Sequence, residues 1–392
     1  MILFMKDDNL QTTQSLTDTL DLAAIKFIDD YVAKKTNAIE KNGISREDWH
    51  TLGEFGLLGI NAPKVYGGLQ QSYQLQAKII EHISRYSPSL GLSYLAHSHL
   101  CMNLLNVHAS NDQQATWLPK LIKGDYIGAI AISEPNAGSD ALAMKTTASF
   151  HQDHYKLNGQ KIWITNGPDA DVAIVYAKTD HTKKHHSITA FIVDLNKPGV
   201  SRSEPIAKLG MRGSKTGALY FNDVILSSSD VLGEVNEGLS ILMQGLNIER
   251  VMLSAGPLGI QKACLDIALD YTSAREQFSQ PLINFQITQT KIADMYTNIE
   301  ASQAFLNEAF ARIGSNQLSN GYAASCYLHC SRAAVATSLE TVQLLGGNGY
   351  TEDYPAEMLM RDAKLFDIGG GTNEIRQLII AKEVIKSFQN KH

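Results

Sequence analysis

The hydrophobic period of this chain changes twice, and that limits its possible folds more than any other feature. From about 126 to 236 the sequence breaks into short β-rich runs: YIGAIAIS (126–133), KIWIT (161–165), DVAIVYAK (171–178) and ITAFIVD (188–194). Runs of this length and composition specify strands. Asn158-Gly159 lies between two of them and has the residue types of a two-residue hairpin turn, which predicts a turn there. On the N-terminal side, segments 17–36, 46–57 and 73–86 lack sustained alternation, and breakers such as Pro63 and Gly67–Gly68 fall only between them. These read as helices. After about 237 the helical period returns, and Ile292, Met295, Ile299, Leu306, Phe310 and Ile313 share one stripe, which is read as core packing. The expectation is one composite α+β fold: an N-terminal helical domain (1–125), a middle β-domain (126–236) built as a small barrel or sandwich, and a C-terminal helical domain (237–392).

Charge and cysteine usage exclude several function classes. The 392 residues carry a formal charge of −6 with no basic block, so neither nucleic acid nor an anionic membrane is an expected partner. No apolar stretch reaches the ~18 residues of a membrane span. The first residues, MILFMKDDNLQTTQSLTD, lack the pattern of a signal or transit peptide, and the expected compartment is the cytoplasm. The four cysteines, Cys101, Cys264, Cys326 and Cys330, are sparse and fit a reducing environment. Cys326, His329 and Cys330 share a helix face, but no second cluster accompanies them, so no metal is expected. His181, His185 and His186, beside Lys183 and Lys184, read as a solvated loop.

Several loops have the composition of ligand cradles. ISEPNAGSD (132–140) leaves a strand into small and polar residues, where Gly138 permits close backbone approach and Ser133 and Ser139 supply hydroxyls. WIT (163–165) offers an aromatic ring followed by a hydroxyl, though a strand Trp is more often core. QLLGGNGY (343–350) and GGGTNE (369–374) are Gly-rich, yet neither fits the dinucleotide fingerprint nor the P-loop.

Taken together and in order, ISEPNAGSD, WITNG (163–167), LGMRGS (209–214), REQF (275–278), FQ (285–286) and the two late Gly-rich elements resemble the acyl-CoA dehydrogenase family across nearly the whole chain. The resemblance implies a C-terminal four-helix bundle and FAD held between β-domain, bundle and a neighbouring subunit of a homotetramer. It assigns Ile130, Ala131, Ile132, Ser133, Gly138 and Ser139 to the flavin ring, with Trp163, Ile164 and Thr165. Arg275 and Gln286 would meet the diphosphate or adenosine end across a subunit interface. Gln343, Leu344, Leu345, Gly346 and Gly347, with Thr372, Asn373 and Glu374, would complete the cofactor site. An electron-transferring flavoprotein is the implied partner. Where the family usually has Lys or Arg, this chain has Met358, which puts one local ion pair in question.

Dehydrogenation beside a thioester requires a base for the α-proton. Much of the family carries a Glu at the position of Gly370 here. A second carboxylate emerges from periodicity: Leu242, Leu246, Glu249 and Leu253 follow the i, i+4, i+7, i+11 spacing of one helix face. A Glu on an apolar stripe gains a raised pKa suited to a base, unless it turns to solvent or pairs with Arg250. LNIERVMLSAGPLG (246–259), DIGGGTNEIRQ (367–377) and LSYLAHSHLC (92–101) resemble the isovaleryl-CoA branch of the family, whose base lies on this helix. That implies oxidation of isovaleryl-CoA to 3-methylcrotonyl-CoA, a step of leucine catabolism. Glu249 would be the base, with space beside Gly370 for the acyl branch. The Gly370 N–H and a ribityl hydroxyl would hold the thioester carbonyl. Ser139, Ser240, Asn247, Arg250 and Gly371 are the further substrate-side residues, Ser240 standing where that branch commonly has Tyr. Rival readings are another short-chain acyl-CoA dehydrogenase, an acyl-CoA oxidase, or a silent acyl-CoA-binding subunit.

Overall fold

A computed structural model describes residues 20–180 and 187–390. The histidine- and lysine-rich stretch 181–186 lies outside the described residues, as do positions 17–19 of the first expected helix. The N-terminal part is helical: α1 (20–42), α2 (Arg46–Glu54), α3 (Tyr73–Tyr86), α4 (88–108) and α5 (Asn111–Ile122). Serines start most of them. Ser45 accepts from the Asp48 N–H at 3.1 Å while Asp48 accepts from the Ser45 N–H at 2.9 Å, which satisfies two otherwise orphaned donors. Ser110 and Gln113 repeat this at α5, while Ser72 and Ser87 each accept one backbone N–H at the start of α3 and α4. Within α4, Ala96–Cys101 is a π-helical segment. Such bulges shift the facing of the side chains that follow, and they recur at functional sites.

The middle part is one eight-stranded sheet ordered β6-β7-β3-β2-β4-β5-β8, with β1 paired to β4. The strands are β1 (Gly128–Ala131), β2 (Thr147–His151), β3 (His154–Thr165), β4 (Val172–Lys178), β5 (Ile188–Asp194), β6 (Val200–Arg202), β7 (Thr216–Ser227) and β8 (Val231–Leu232). β2 and β4 meet at one pair only, Thr147 with Lys178, so two wings are joined at a single point. The turn expected at Asn158-Gly159 is not there. Both residues lie inside β3, and the β2–β3 turn falls at 152–153, where Gln152 takes a φ of 55°. Gly159 marks a bulge against β7 instead. A Cβ there would stand 2.5 Å from the Thr146 hydroxyl, so close packing rather than a turn demands glycine.

β1 is fixed to the helical layer by polar contacts. The Gly128 N–H donates to His97 Nδ1 at 3.0 Å, and Asn166 Nδ2 donates to the carbonyls of Ser93 and Gly128. The C-terminal part comprises α6 (Gly238–Ala274), α7 (Gln286–Gly314), α8 (Asn320–Leu345), α9 (Ala356–Phe366) and α10 (Asn373–Gln389). In α7 the expected stripe packs inward, with Met295, Ile299 and Leu306 buried. Met358 is buried in the core, which explains an apolar residue at that position. The neighbouring charges pair without it: Arg361 bonds Glu357 at 2.6 Å and Glu40 at 3.1 Å.

Candidate active site

α6 is 37 residues long, and its N-terminal half packs against β5 and the π-helical part of α4. At that crossing a narrow cleft of about 20 Å³ is bounded by His99, Asn103, Ile130, Tyr176, Leu242 and Glu249. That is room for about one water molecule. Glu249 lines this cleft and is half-buried. Burial pushes its carboxyl up to about 7, although Arg250 pulls it down. Arg250 makes no salt bridge with Glu249. It is buried, held below its ordinary range by desolvation, and donates to Asn247 Oδ1 at 3.3 Å, while its Nε has no partner among the described residues. Ser240 lies one turn before Gln244 and accepts from its Nε2 at 3.0 Å.

The second half of the site is the turn between α9 and α10. Gly370 and Gly371 take φ of 65° and 88°, a region costly for other residues. Neither N–H has a hydrogen-bond acceptor among the described residues. Arg376, fully buried, fixes this turn from behind. It donates to the carbonyls of Gly369 at 2.7 Å and Phe366 at 2.9 Å and lies over the Tyr327 ring, whose hydroxyl also donates to Gly369 at 3.0 Å. The space expected beside Gly370 is already occupied. A Cβ there would meet Leu253 Cδ1 at 2.6 Å and the Tyr327 ring at 3.1 Å. Leu253 is one turn along α6 from Glu249, so the two halves of the site share this contact.

The loop after β1 and the C-terminal end of β3 form a third surface. Ile162 donates its N–H to the Ser133 carbonyl at 2.9 Å, tying 132–140 to β3. Trp163 is not core: it is 60% exposed at a φ of 63°, on a bulge between Lys161 and Ile164. An aromatic residue held in left-handed backbone geometry is a strained feature of the kind that marks binding sites. Beneath it lies a pair that the sequence reading missed. Lys161, fully buried, bonds Glu134 at 2.9 Å and the Ile132 carbonyl at 3.0 Å. Burial pushes Lys161 down to about 8 against the pull of Glu134. Burial also pushes Glu134 up, but hydrogen bonds from Thr146, the Lys145 N–H and Lys161 outweigh it and hold the carboxyl below its usual range. Glu134 stands inside ISEPNAGSD, so its position was visible while its buried partner was not.

This surface fits a flat, polar ring system. Trp163 supplies an exposed face, Ser133, Ser139 and Thr165 supply hydroxyls, and a Cβ at Gly138 would meet nothing within 4 Å. The side chains of Ala131 and Ile164 are buried, which leaves only their backbone for a ligand; Ile130 and Ile132 are half-buried. On the far side, Thr372 caps α10 and Glu374 is exposed. Asn373 is turned inward, its amide donating to Asp367 at 2.7 Å and its carbonyl accepting from Arg376 at 2.7 Å, so it braces the turn.

The remaining expected cofactor residues are remote. Arg275 follows α6, 26 positions beyond Glu249, or roughly 39 Å at about 1.5 Å per residue. It is exposed, as is Gln286 at the start of α7. Gln343, Gly346 and Gly347 are also exposed, Leu344 is half-buried and Leu345 is buried. Asn348 Nδ2 donates to the Tyr271 hydroxyl at 2.8 Å, which joins this element to the same end of α6.

Family models for acyl-CoA dehydrogenase match in three parts: the N-terminal domain over 17–125, the middle domain over 129–224 and the C-terminal domain over 236–385. Isovaleryl-CoA dehydrogenase, mitochondrial, of Solanum tuberosum is 43% identical over 92% of this chain and 88% of its own length. A 2-methylacyl-CoA dehydrogenase, mitochondrial, of the same organism is 42% identical over 92% of this chain and 88% of its own. Among solved structures, butyryl-CoA dehydrogenase from Megasphaera elsdenii superimposes with a TM-score of 0.90 at 32% identity, covering 98% of this chain and 100% of that one.

Proposed function

The chain belongs to the acyl-CoA dehydrogenase family, and on that premise we propose that it oxidises a short branched acyl-CoA, isovaleryl-CoA, to 3-methylcrotonyl-CoA. The observation that carries this reading is Glu249, a carboxylate lining a small cleft with its pKa raised to about 7. A base poised near the working pH is ionised often enough to act and basic enough to take a proton. Glu249 abstracts the α-proton. The Gly370 N–H donates to the thioester carbonyl and makes that proton more acidic, as oxyanion-hole donors do. Arg376 holds that donor in place through the Gly369 carbonyl.

Trp163, Thr165 and the 130–139 loop would hold FAD, which would supply the acceptor for the β-hydrogen. On this reading Arg275, Gln286 and Gln343–Gly347 serve the cofactor of a neighbouring copy in a homotetramer, since about 39 Å of helix separates Arg275 from the base. Electrons leave through an electron-transferring flavoprotein. The branched substrate is supported by the base residing on α6 and by the likeness to isovaleryl-CoA dehydrogenases. Because Leu253 and Tyr327 fill the space at Gly370, the branch lies toward Ile130 and Leu242 instead.

The test is anaerobic flavin reduction with a panel of acyl-CoAs. Isovaleryl-CoA is expected to give a higher kcat/KM than butyryl-CoA or 2-methylbutyryl-CoA. A preference for 2-methylbutyryl-CoA or for long straight chains overturns the substrate while leaving the reaction class intact.

A further inference from the structure

Tyr176 stands in the middle of β4 and is fully buried, yet its hydroxyl has no hydrogen-bond partner among the described residues. A buried hydroxyl without a partner forfeits its hydration, so it calls for an explanation. Its position provides one. Tyr176 and Glu249 line the same cleft from opposite layers, one on the sheet and one on α6. Desolvation raises the tyrosine's pKa, and the nearby Glu249 raises it further, so the hydroxyl stays protonated and remains a donor across the neutral range.

The other polar groups around Glu249 are engaged or of the wrong kind. Tyr327, on α8, also feels Glu249, but its hydroxyl donates to the Gly369 carbonyl. On α4, His99 is pushed down to about 3 by burial, so it is neutral, and it is in contact with Gln76 at 3.2 Å. Asn103, also on α4, accepts from Tyr73 at 2.8 Å. On α6 itself, Arg250 is bonded to Asn247, and Arg376 on α10 is the next cation, close enough to lower Arg250. Tyr176 thus offers an unpartnered donor from the sheet side of the cleft, as the Arg250 Nε does from α6.

We propose that Tyr176 is a positioning residue for the base: its hydroxyl donates to the Glu249 carboxylate when that group ionises, and aims it into the acyl cleft. This rests on Glu249 being the base. In the resting, protonated state the carboxyl does not require the bond, and the hydroxyl stands free. On ionisation the bond forms, stabilising the charge in a place where water is scarce. When the carboxyl takes up the α-proton the bond is released. The bond favours the ionised form, and so lowers the pH at which the base becomes active.

The experiment is stopped-flow flavin reduction by isovaleryl-CoA as a function of pH, for wild type, Tyr176→Phe, Glu249→Gln and the double variant, all as FAD-loaded protein. Tyr176→Phe should keep FAD and melt at or above the wild-type temperature, because the lost hydroxyl made no bond in the resting state. Its acid limb should move up by about one pH unit, giving ~10-fold slower reduction near pH 6 and convergence with wild type above pH 9. In the Glu249→Gln background the same change should have no further effect. A Tyr176→Phe profile that overlays wild type overturns the proposal. So does loss of FAD or a clearly lowered melting temperature, since either would mean that the hydroxyl has a structural partner. If Glu249→Gln itself reduces normally, the failure lies with the base assignment, and the two failures are thereby distinguished.

Discussion

Arg376 donates to the carbonyl of Gly369 at 2.7 Å, and this contact sets the turn from which Gly370 presents its N–H. The guanidinium also bonds Phe366 and Asn373 and lies over Tyr327, so the turn is held by one fully buried cation. Arg376→Met keeps the volume and removes every bond. Hydrogen bonds to a charged group contribute about 1.5–3 kcal/mol each, and losses within one network do not add simply. The variant should lose roughly 3 kcal/mol of stability. Any folded fraction should show a lower rate of flavin reduction with less change in acyl-CoA binding, checked by thermal melting and single-turnover kinetics.

Gly370→Ala tests whether the turn needs glycine. The residue takes a φ of 65°, and a methyl would stand 2.6 Å from Leu253 Cδ1. Left-handed backbone costs a non-glycine residue about 1–2 kcal/mol, and the overlap adds to it. A melting temperature several degrees lower is expected, with Gly370→Glu lower still. A second carboxylate at this position should therefore not rescue an enzyme lacking Glu249.

Trp163 is expected to serve the cofactor and not the fold. Being 60% exposed and strained, its replacement by Ala should change intrinsic stability by less than about 1 kcal/mol in the FAD-free protein. FAD retention should fall markedly, read as released flavin fluorescence on dilution. Lys161→Met should act differently. It strands the buried Glu134 without its counter-charge, and breaking one side of a buried pair costs roughly 3–5 kcal/mol. Melting of the FAD-free protein separates the two variants.

How legible was this in the sequence? The α+β architecture was, because the change of period is a property of local pattern, and the strand runs at 172–178 and 188–194 are found where the alternation stops being helical. Glu249 was legible for the same reason: its place on the Leu242–Leu253 stripe fixes which way it faces. Asn158-Gly159 misled because a turn dipeptide also suits a bulge, and the choice is made by Thr146, which no local window brings near. Arg376 and Lys161 were missed because a buried cation looks like any surface cation until its partners, distant in sequence, come together. The crowding at Gly370 is likewise a contact among three elements.

Glu249 contributes to the pH dependence of stability, as does the buried Asp362, which desolvation also pushes up to about 7. Glu249 is raised to about 7 from an ordinary value near 4.5. The folded state therefore holds a proton that the unfolded chain releases between those values. Stability from this group is fully present below about 4.5 and declines as pH rises toward 7, where ionisation in the cleft carries its whole cost. Glu249→Gln removes that cost, so at pH 8 the variant should melt higher than wild type, with the gap closing by pH 4.5. Melting curves across that range provide the check.

The most direct measurement is anaerobic flavin reduction by isovaleryl-CoA in Glu249→Gln, with FAD content and acyl-CoA binding measured on the same sample. The amide preserves shape and removes the proton acceptor. FAD and binding should persist while the reduction rate falls by ~10²–10⁴-fold, the range expected for loss of a general base. Reduction at the wild-type rate would contradict the account and send the search for the base elsewhere in the cleft.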